Sequence, residues 1–285
     1  MAAGVGKSLK ERVFHAMCLV ATYGCVVILL ALVASIFWEA SGWLDWQFLT
    51  SRPSHDPEKA GVLVPLIGSL WIIGITTLVA VPMGIGAAVY LEEYLSDSLW
   101  KSIVQINISN LAGVPSIVYG LLGLVLFVRL MHFGRSILAA SLTLALVILP
   151  IIIIATQEAL RAVPPSIRHA SFALGATRWQ TVRHQVLPAA MPGIMTGVIL
   201  SMARALGEAA PLIIVGGVGT MSYTPTSVYH KFMALPTAIY NWSSRPQAEF
   251  ANVAAAGIVV LLVFLVILNA AAVTIRYRFG KRTQW

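Results

Sequence analysis

Six stretches of the chain contain no aspartate, glutamate, lysine or arginine: 13–38, 61–91, 102–128, 136–157, 184–203 and 250–275. Each reaches or exceeds the roughly 20 residues that a helix needs to cross about 30 Å of hydrocarbon. In lipid the backbone must satisfy its own hydrogen bonds, so long uncharged runs read as helices rather than as isolated strands. The pattern predicts an all-α, polytopic membrane protein with one domain over 1–285 and six transmembrane helices. The spans are expected at about 16–39, 63–91, 106–129, 137–158, 189–217 and 251–275, with a polar loop at 159–188 between the fourth and fifth. Pro82, Gly84 and Gly86 interrupt the second span and Pro115 interrupts the third. Ser109, Gly113, Ser116, Gly120 and Gly123 stack small residues along the third. Such spacing lets helix backbones approach closely, so Gly113, Pro115, Ser116 and Gly120 are expected at a helix contact.

Composition agrees with the pattern. Charged residues make up 11% of the chain and hydrophobic ones 58%, whereas an ordinary soluble domain is about one-quarter charged. Orientation follows the lysine and arginine bias of short loops. With both termini cytoplasmic, Lys7, Lys10, Arg12, Lys101, Arg161, Arg168, Arg178, Arg183, Arg276, Arg278, Lys281 and Arg282 lie inside. Arg52, Lys59, Arg129, Arg135, Lys231 and Arg245 then lie outside, and twelve against six favours this orientation. The net charge of +8 thus falls on loops over anionic membrane lipid. No basic patch interleaved with aromatics supports a nucleic-acid partner. Lys7, Lys10 and Arg12 resemble a signal-peptide start, but the apolar run that follows exceeds the 7–15 residues of such a segment, so an uncleaved first helix is expected.

Cys18 and Cys25 are seven residues apart in the first span, about 10 Å along a helix. That is too far for a disulfide, and both read as packing residues. No set of cysteines and histidines has metal-site spacing, so no metal is expected. Trp38, Trp43, Trp46 and Phe48 fall where an interfacial aromatic belt would sit on the outer side. The stretch 223–250, with Pro236, Tyr240 and Trp242, reads as an outer loop carrying short interfacial helices.

The loop 159–188 has the most internal punctuation. Pro164-Pro165 stops the incoming helix and Ser166 is placed to cap a new one over 167–174. Gly175 supplies a left-handed residue to end it. Thr177-Arg178-Trp179-Gln180 has capping-box spacing, and Leu187-Pro188 closes the unit. Two short helices at an angle would form a compact elbow. Its order and spacing resemble the EAA-x3-G-x9-I-x-LP loop of ABC importer permeases: His169-Ala170-Ser171, three residues, Gly175, nine residues, then Gln185-Val186-Leu187-Pro188. His169, Ser171 and Gln185 depart from that pattern, which removes any role needing a carboxylate at 169 and leaves the docking spacing intact.

Further segments carry the resemblance across most of the chain: Tyr90-Leu91-Glu92-Glu93-Tyr94, the stretch 110–120 beginning Asn110-Leu111-Ala112-Gly113, and the stretch 204–212 beginning Arg204-Ala205-Leu206-Gly207-Glu208. They are similar to the permeases of phosphate ABC importers, the PstA-type subunit more than its PstC-type partner. The resemblance implies the type I importer permease fold in a bacterial inner membrane. It implies a heterodimer with a related PstC-type permease, an ATP-binding subunit dimer, and a periplasmic or lipid-anchored phosphate-binding protein. In that family the elbow docks on the ATPase, so the resemblance places ATPase coupling on His169, Ala170, Ser171, Gly175, Arg178, Trp179, Leu187 and Pro188. ATP and Mg are used by the partner, and this chain is expected to bind no cofactor and to be no enzyme. Gly6-Lys7-Ser8 imitates the end of a P-loop, but Met1 stands where the motif needs its first glycine.

Arg204 and Glu208 are formal charges well inside an apolar run. An arginine at the bilayer centre costs about 2.5–3.5 kcal/mol on insertion scales, so such residues usually line a protein-enclosed path. Their i,i+4 spacing puts both on one helix face with Ser201, Gly197 and Pro211. Arg204, Glu208 and Ser201 are therefore the expected substrate-pathway residues; a buried ion pair that fixes helix packing is the competing reading. A guanidinium fork matches a tetrahedral oxyanion. Sulfate and molybdate share that shape with phosphate, and only the family resemblance favours phosphate. A gradient-driven anion transporter is the alternative class. It would want coupling-ion acids or an internal repeat, and the sequence shows neither.

Overall fold

The computed structural model of the protein describes residues 9–217, 219, 221 and 223–280. Lys7, Lys281, Arg282 and the triplet Gly6-Lys7-Ser8 lie outside the described residues. Among the described residues every regular element is helical. Helix α1 (Leu9–Ala40) is followed by the short α2 (Trp46–Thr50), and α3 (Leu63–Val89) runs on through a π-turn at Tyr90–Tyr94. Then come α4 (Leu99–Ala112) and α5 (Ser116–Gly123), the latter extended by a π-turn at Leu124–Leu130. Helix α6 (Ile137–Arg161) leads to α7 (Pro165–Ala173), α8 (Arg178–Thr181), a π-turn at Val182–Val186 and α9 (Leu187–Gly207). Helices α10 (Ala210–Val215), α11 (Leu235–Ser243) and α12 (Glu249–Gly280) complete the order.

Five uninterrupted helical stretches are long and apolar enough to cross a bilayer: Lys10–Ala40, Leu63–Tyr94, Ile137–Arg161, Arg178–Gly207 and Glu249–Thr274. The third expected span, 106–129, is not one helix. It is the pair α4 and α5, bent by 99°. Pro115 has no N–H and drives Val114 out of the helical region, so α4 ends with Gly113 as its C-cap and Pro115 becomes the N-cap of α5. The Tyr119 hydroxyl donates to the Leu111 carbonyl at 2.9 Å, supplying a partner for an acceptor near the break.

Helix α6 forms the centre, packed between α3 and α9. Ile148 and Ile152 of α6 are fully buried. Gly84 of α3 faces Ile152, whose Cγ2 would lie 2.6 Å from a Cβ placed there. Gly197 of α9 faces Ala155 in the same way. The Thr76 hydroxyl donates across the interface to the Ser141 carbonyl at 3.0 Å, and such interhelical bonds join spans where lipid gives no hydrophobic drive. On another side α5 lies on α10, with the Cβ position of Gly120 only 2.8 Å from Pro211 Cα. Gly120 thus fills the packing role expected of the small-residue stripe, and Gly123 lies against Thr143. Gly113 and Pro115 build the bend instead, and Ser116 opens α5.

Two expectations for the outer surface are corrected. The stretch 223–250 is not a purely interfacial loop. Its helix α11 packs on α12 and α3, with Leu235, Ala238 and Trp242 fully buried, and the Leu235 N–H donates to Ser69 Oγ at 2.8 Å. Phe48 belongs to this core, its ring centroid 6.1 Å from that of Trp242, while Trp38 and Trp46 stay exposed. Arg245 lies 4.2 Å over the Phe250 ring and donates to the Ser54 carbonyl; burial pushes its guanidinium pKa downward. Cys18 and Cys25 are exposed on α1 rather than packed. In a span whose two faces are both apolar, the sequence does not distinguish the face turned to lipid from the face turned to protein.

Candidate functional site

The elbow is built by short-range signals. Pro164 is the N-cap of α7 and Pro165 occupies its first turn, where the missing N–H costs nothing. Ser166 is therefore inside the helix, not its cap. Gly175 has φ of 81°, and its N–H and that of Ala176 bond back to the carbonyls of Phe172 (2.9 Å) and Ser171 (3.2 Å). That is a Schellman ending, which requires the left-handed residue glycine provides. Thr177 and Gln180 form the reciprocal capping box. The Ser171 and Thr181 hydroxyls, 2.8 Å apart, tie α7 to α8.

The expected closure at Leu187-Pro188 is corrected. The helix runs unbroken from Arg178 to Gly207, and Leu187 N–H bonds to the Val182 carbonyl through the π-turn. Pro188 has no N–H to give the helical ladder, and it stands directly after the π-turn, a local widening that accommodates such a misfit within the continuous helix. The elbow's second arm is thus the end of the fifth span. Leu174 is 89% exposed, and Phe172 and Trp179 are also exposed. His169, Ala170 and Arg178 are exposed, Ser171 is half-buried, and Leu187 and Pro188 pass into the bundle. A cleft of about 460 Å³ opens between the two arms, lined in part by Ala170, Ser171, Leu174 and His184.

Sequence reasoning gave Glu92 and Glu93 no role of their own. Both lie in the π-turn that ends α3. Arg168 of α7 clasps Glu93, with Nη2 2.7 Å from Oε1 and Nε 3.2 Å from the same oxygen. It also donates to the carbonyls of Leu160 (2.9 Å) and Val163 (2.8 Å). Arg161 of α6 reaches Glu92 at 2.6 Å and Glu158 at 2.9 Å. Gln157, 1% exposed, donates to Glu92 at 3.0 Å and exchanges two amide bonds with Gln105 of α4. The available signal was two adjacent acids at the end of the second span and two arginines, one ending the fourth span and one in the elbow.

Arg204 stands in the last turn of α9, where a cation suits the helix dipole. Glu208 is no longer helical: with φ −77° and ψ 110° it caps α9 and begins the break before α10. The pair meets through Arg204 Nε and Glu208 Oε1 at 3.4 Å. Among the described residues nothing else bonds the guanidinium, so both terminal nitrogens remain available. The Arg204 side chain is 54% exposed and that of Glu208 17%. Ser201 does not share this surface. Its hydroxyl donates to the Gly197 carbonyl at 2.8 Å, and the residue is 1% exposed. Positions 201 and 204 differ by about 60° around a helix, enough to bury Ser201 while Arg204 shares an open face with Leu200 and Gly207. An exposed charge at a helix break inside an apolar segment calls for water or protein beside it, not lipid.

The spans, interrupted near the charge, pack around a central α6, and a helical elbow stands at one end. The fold superposes on a chain of a bacterial alginate ABC transporter solved with its alginate pentasaccharide-bound periplasmic protein. The TM-score is 0.68 at 14% identity, over 92% of this chain and 93% of that one. It also matches a chain of the inward-facing MetNI methionine ABC transporter, with a TM-score of 0.59 at 18% identity over 77% and 94%. Residues 80–284 match the family model for the binding-protein-dependent transport system inner membrane component, and the chain belongs to that family. Among relatives, it is 33% identical to the probable ABC transporter permease YqgI of Bacillus subtilis, over 86% of this chain and 87% of that one. It is 37% identical to the phosphate transport system permease PstA 1 of Mycobacterium tuberculosis H37Rv, over 85% and 77%. The phosphate transport system permease PstC of Mesorhizobium japonicum is 29% identical over 93% and 89%.

Proposed function

We propose that this chain is a membrane-spanning permease subunit of an ATP-driven phosphate importer, forming half of the translocation path. Its relatives include phosphate transport system permeases of both the PstA and PstC kinds, which supports phosphate as cargo and a related permease as the other half. The chain itself does no nucleotide chemistry. ATP and Mg are handled by a separate ATP-binding dimer, and cargo arrives on an extracytoplasmic phosphate-binding protein. The chain lies in the bacterial inner membrane with both termini and the elbow on the cytoplasmic side, in keeping with the lysine and arginine bias.

The observation that carries this reading is the elbow: a capped, rigid loop that leaves Phe172, Leu174 and Trp179 exposed. Exposed apolar side chains clustered on a structured loop mark a protein contact, and an anchor of this size set in a partner's pocket commonly dominates an interface. At the other end of the mechanism, the open nitrogens of Arg204 hold a passing oxyanion. Glu208 neutralises the guanidinium when the path is empty and competes with cargo for it, so binding stays weak enough for release.

Leu174→Asp tests the reading. The chain should insert normally, because Leu174 makes no core contact, while the ATPase recovered with it in mild detergent and the uptake of phosphate both fall at least about tenfold. Full recovery of an ATPase with the Leu174→Asp chain, together with unchanged uptake, is the result that would sink the docking role.

A further inference from the structure

We propose that Glu92 and Glu93 are positioning residues: the π-turn of α3 is the joint through which movement of the elbow reaches the broken span. This rests on the importer reading above. One five-residue turn, Tyr90–Tyr94, bonds directly to three other elements and through Gln157 to a fourth. Glu93 holds Arg168 of α7, Glu92 holds Arg161 of α6, and Gln157 carries the Glu92 contact on to Gln105 of α4. The Tyr94 carbonyl accepts from Arg178 of α8 at 3.4 Å, and the Arg178 guanidinium lies 5.9 Å from that ring's centre.

Consecutive residues point their carboxylates at different partners, and a π-turn is a common device for such local re-aiming. The two carboxylates are also enclosed, although Tyr90 is exposed. The Glu93 side chain is 9% exposed, that of Glu92 is 11%, and Gln157 is 1%. Low exposure strengthens each charged hydrogen bond and makes each costly to leave unmade. Arg168 is committed on three sides, to Glu93, Leu160 and Val163, so α7 cannot rotate without pulling α3 and the end of α6. Gln105 sits on α4, which leads through the 99° bend to α5, and α5 rests on α10 immediately after Glu208. A continuous set of contacts therefore runs from the docking surface to the charged break. A joint of this kind alters coupling, not cargo affinity.

The test uses the intact complex in liposomes with phosphate-loaded binding protein, and measures ATP hydrolysed per phosphate imported. Glu93→Gln should be recovered as a complete complex, retain its hydrolysis rate within about twofold, and raise the ratio about tenfold, within the usual range of coupling between sites. If Glu93→Gln yields little complex, Gln105→Leu decides, because it leaves both ion pairs in place; the ratio should then rise about threefold. A ratio equal to wild type in a recovered Glu93→Gln complex, or in Gln105→Leu, overturns the joint. So does a proportional loss of hydrolysis and uptake in either variant. Absence of phosphate-linked hydrolysis in the wild-type complex would overturn the importer reading instead.

Discussion

Phosphate uptake is expected to fall on the order of a hundredfold when Arg204 is replaced by Gln, with the complex still assembled. The guanidinium offers two terminal nitrogens that no described residue occupies, and its one contact, to Glu208 at 3.4 Å, is long. Charge-assisted hydrogen bonds contribute about 1.5–3 kcal/mol each, and two to an oxyanion sum to about 3–6 kcal/mol, of which the lower end already corresponds to more than a hundredfold. A glutamine, shorter by two bonds, presents a neutral amide and forfeits most of this. Because the Arg204 side chain is half-exposed and braces no neighbouring helix, insertion and assembly should not change. Arg204→Lys should fall between the two, since it keeps the charge but lacks the planar fork. Rates of labelled phosphate uptake in proteoliposomes, at matched permease content, check all three chains. Wild-type rates from Arg204→Gln would remove Arg204 from the substrate path.

The second large effect is on folding. A single methyl group added at Gly68 should prevent accumulation of folded protein, whereas the same change at Gly74, less than two turns further along α3, should be tolerated. A Cβ at Gly68 falls on the carbonyl oxygen of Met233, in the segment that leads into α11. Backbone cannot rotate aside as a side-chain end can, and the adjoining Ser69–Leu235 hydrogen bond of 2.8 Å holds the two segments together. Overpacking a core costs about 1–3 kcal/mol where side chains absorb it, and here relief requires α11, with its buried Trp242, to shift from its seat on α3 and α12. At Gly74 nothing lies within 4 Å of the added atom. The monodisperse fraction in detergent, followed against temperature for Gly68→Ala and Gly74→Ala, measures the contrast. Equal stability of the two would show that α11 is only loosely seated.

Much of the architecture was legible because its determinants are local. Uncharged runs matched four of the continuous helices, since the cost of a buried charge or an unpaired peptide group is counted residue by residue; the fifth, expected at 189–217, runs instead from Arg178 to Gly207 and breaks at Glu208. The left-handed Gly175 and the Thr177–Gln180 box were readable because a cap involves neighbours three or four positions apart. The elbow's role, and phosphate as cargo, came from motif resemblance, which spacing alone does not supply.

Where a determinant lies far along the chain, the sequence was silent or misleading. Pro115 announced an interruption, but not a 99° bend; the angle depends on how α5 settles on α10. Arg204, Glu208 and Ser201 share a stripe on an ideal helix, yet packing buries Ser201 and the break frees Glu208. Trp242 read as an interfacial aromatic until α11 was seen to close over α3. The partners of Glu92 and Glu93 lie 65 to 75 positions away, a distance at which only the packing of helices selects who meets whom. By itself, then, the sequence determined that this chain crosses the membrane, where its continuous helices run, and that it carries a capped elbow and a charged pair within a span. Tertiary packing alone decided which faces are buried, how the third span breaks and which charges meet, because in lipid most helix faces are apolar and their order in space is not written in any short stretch of residues.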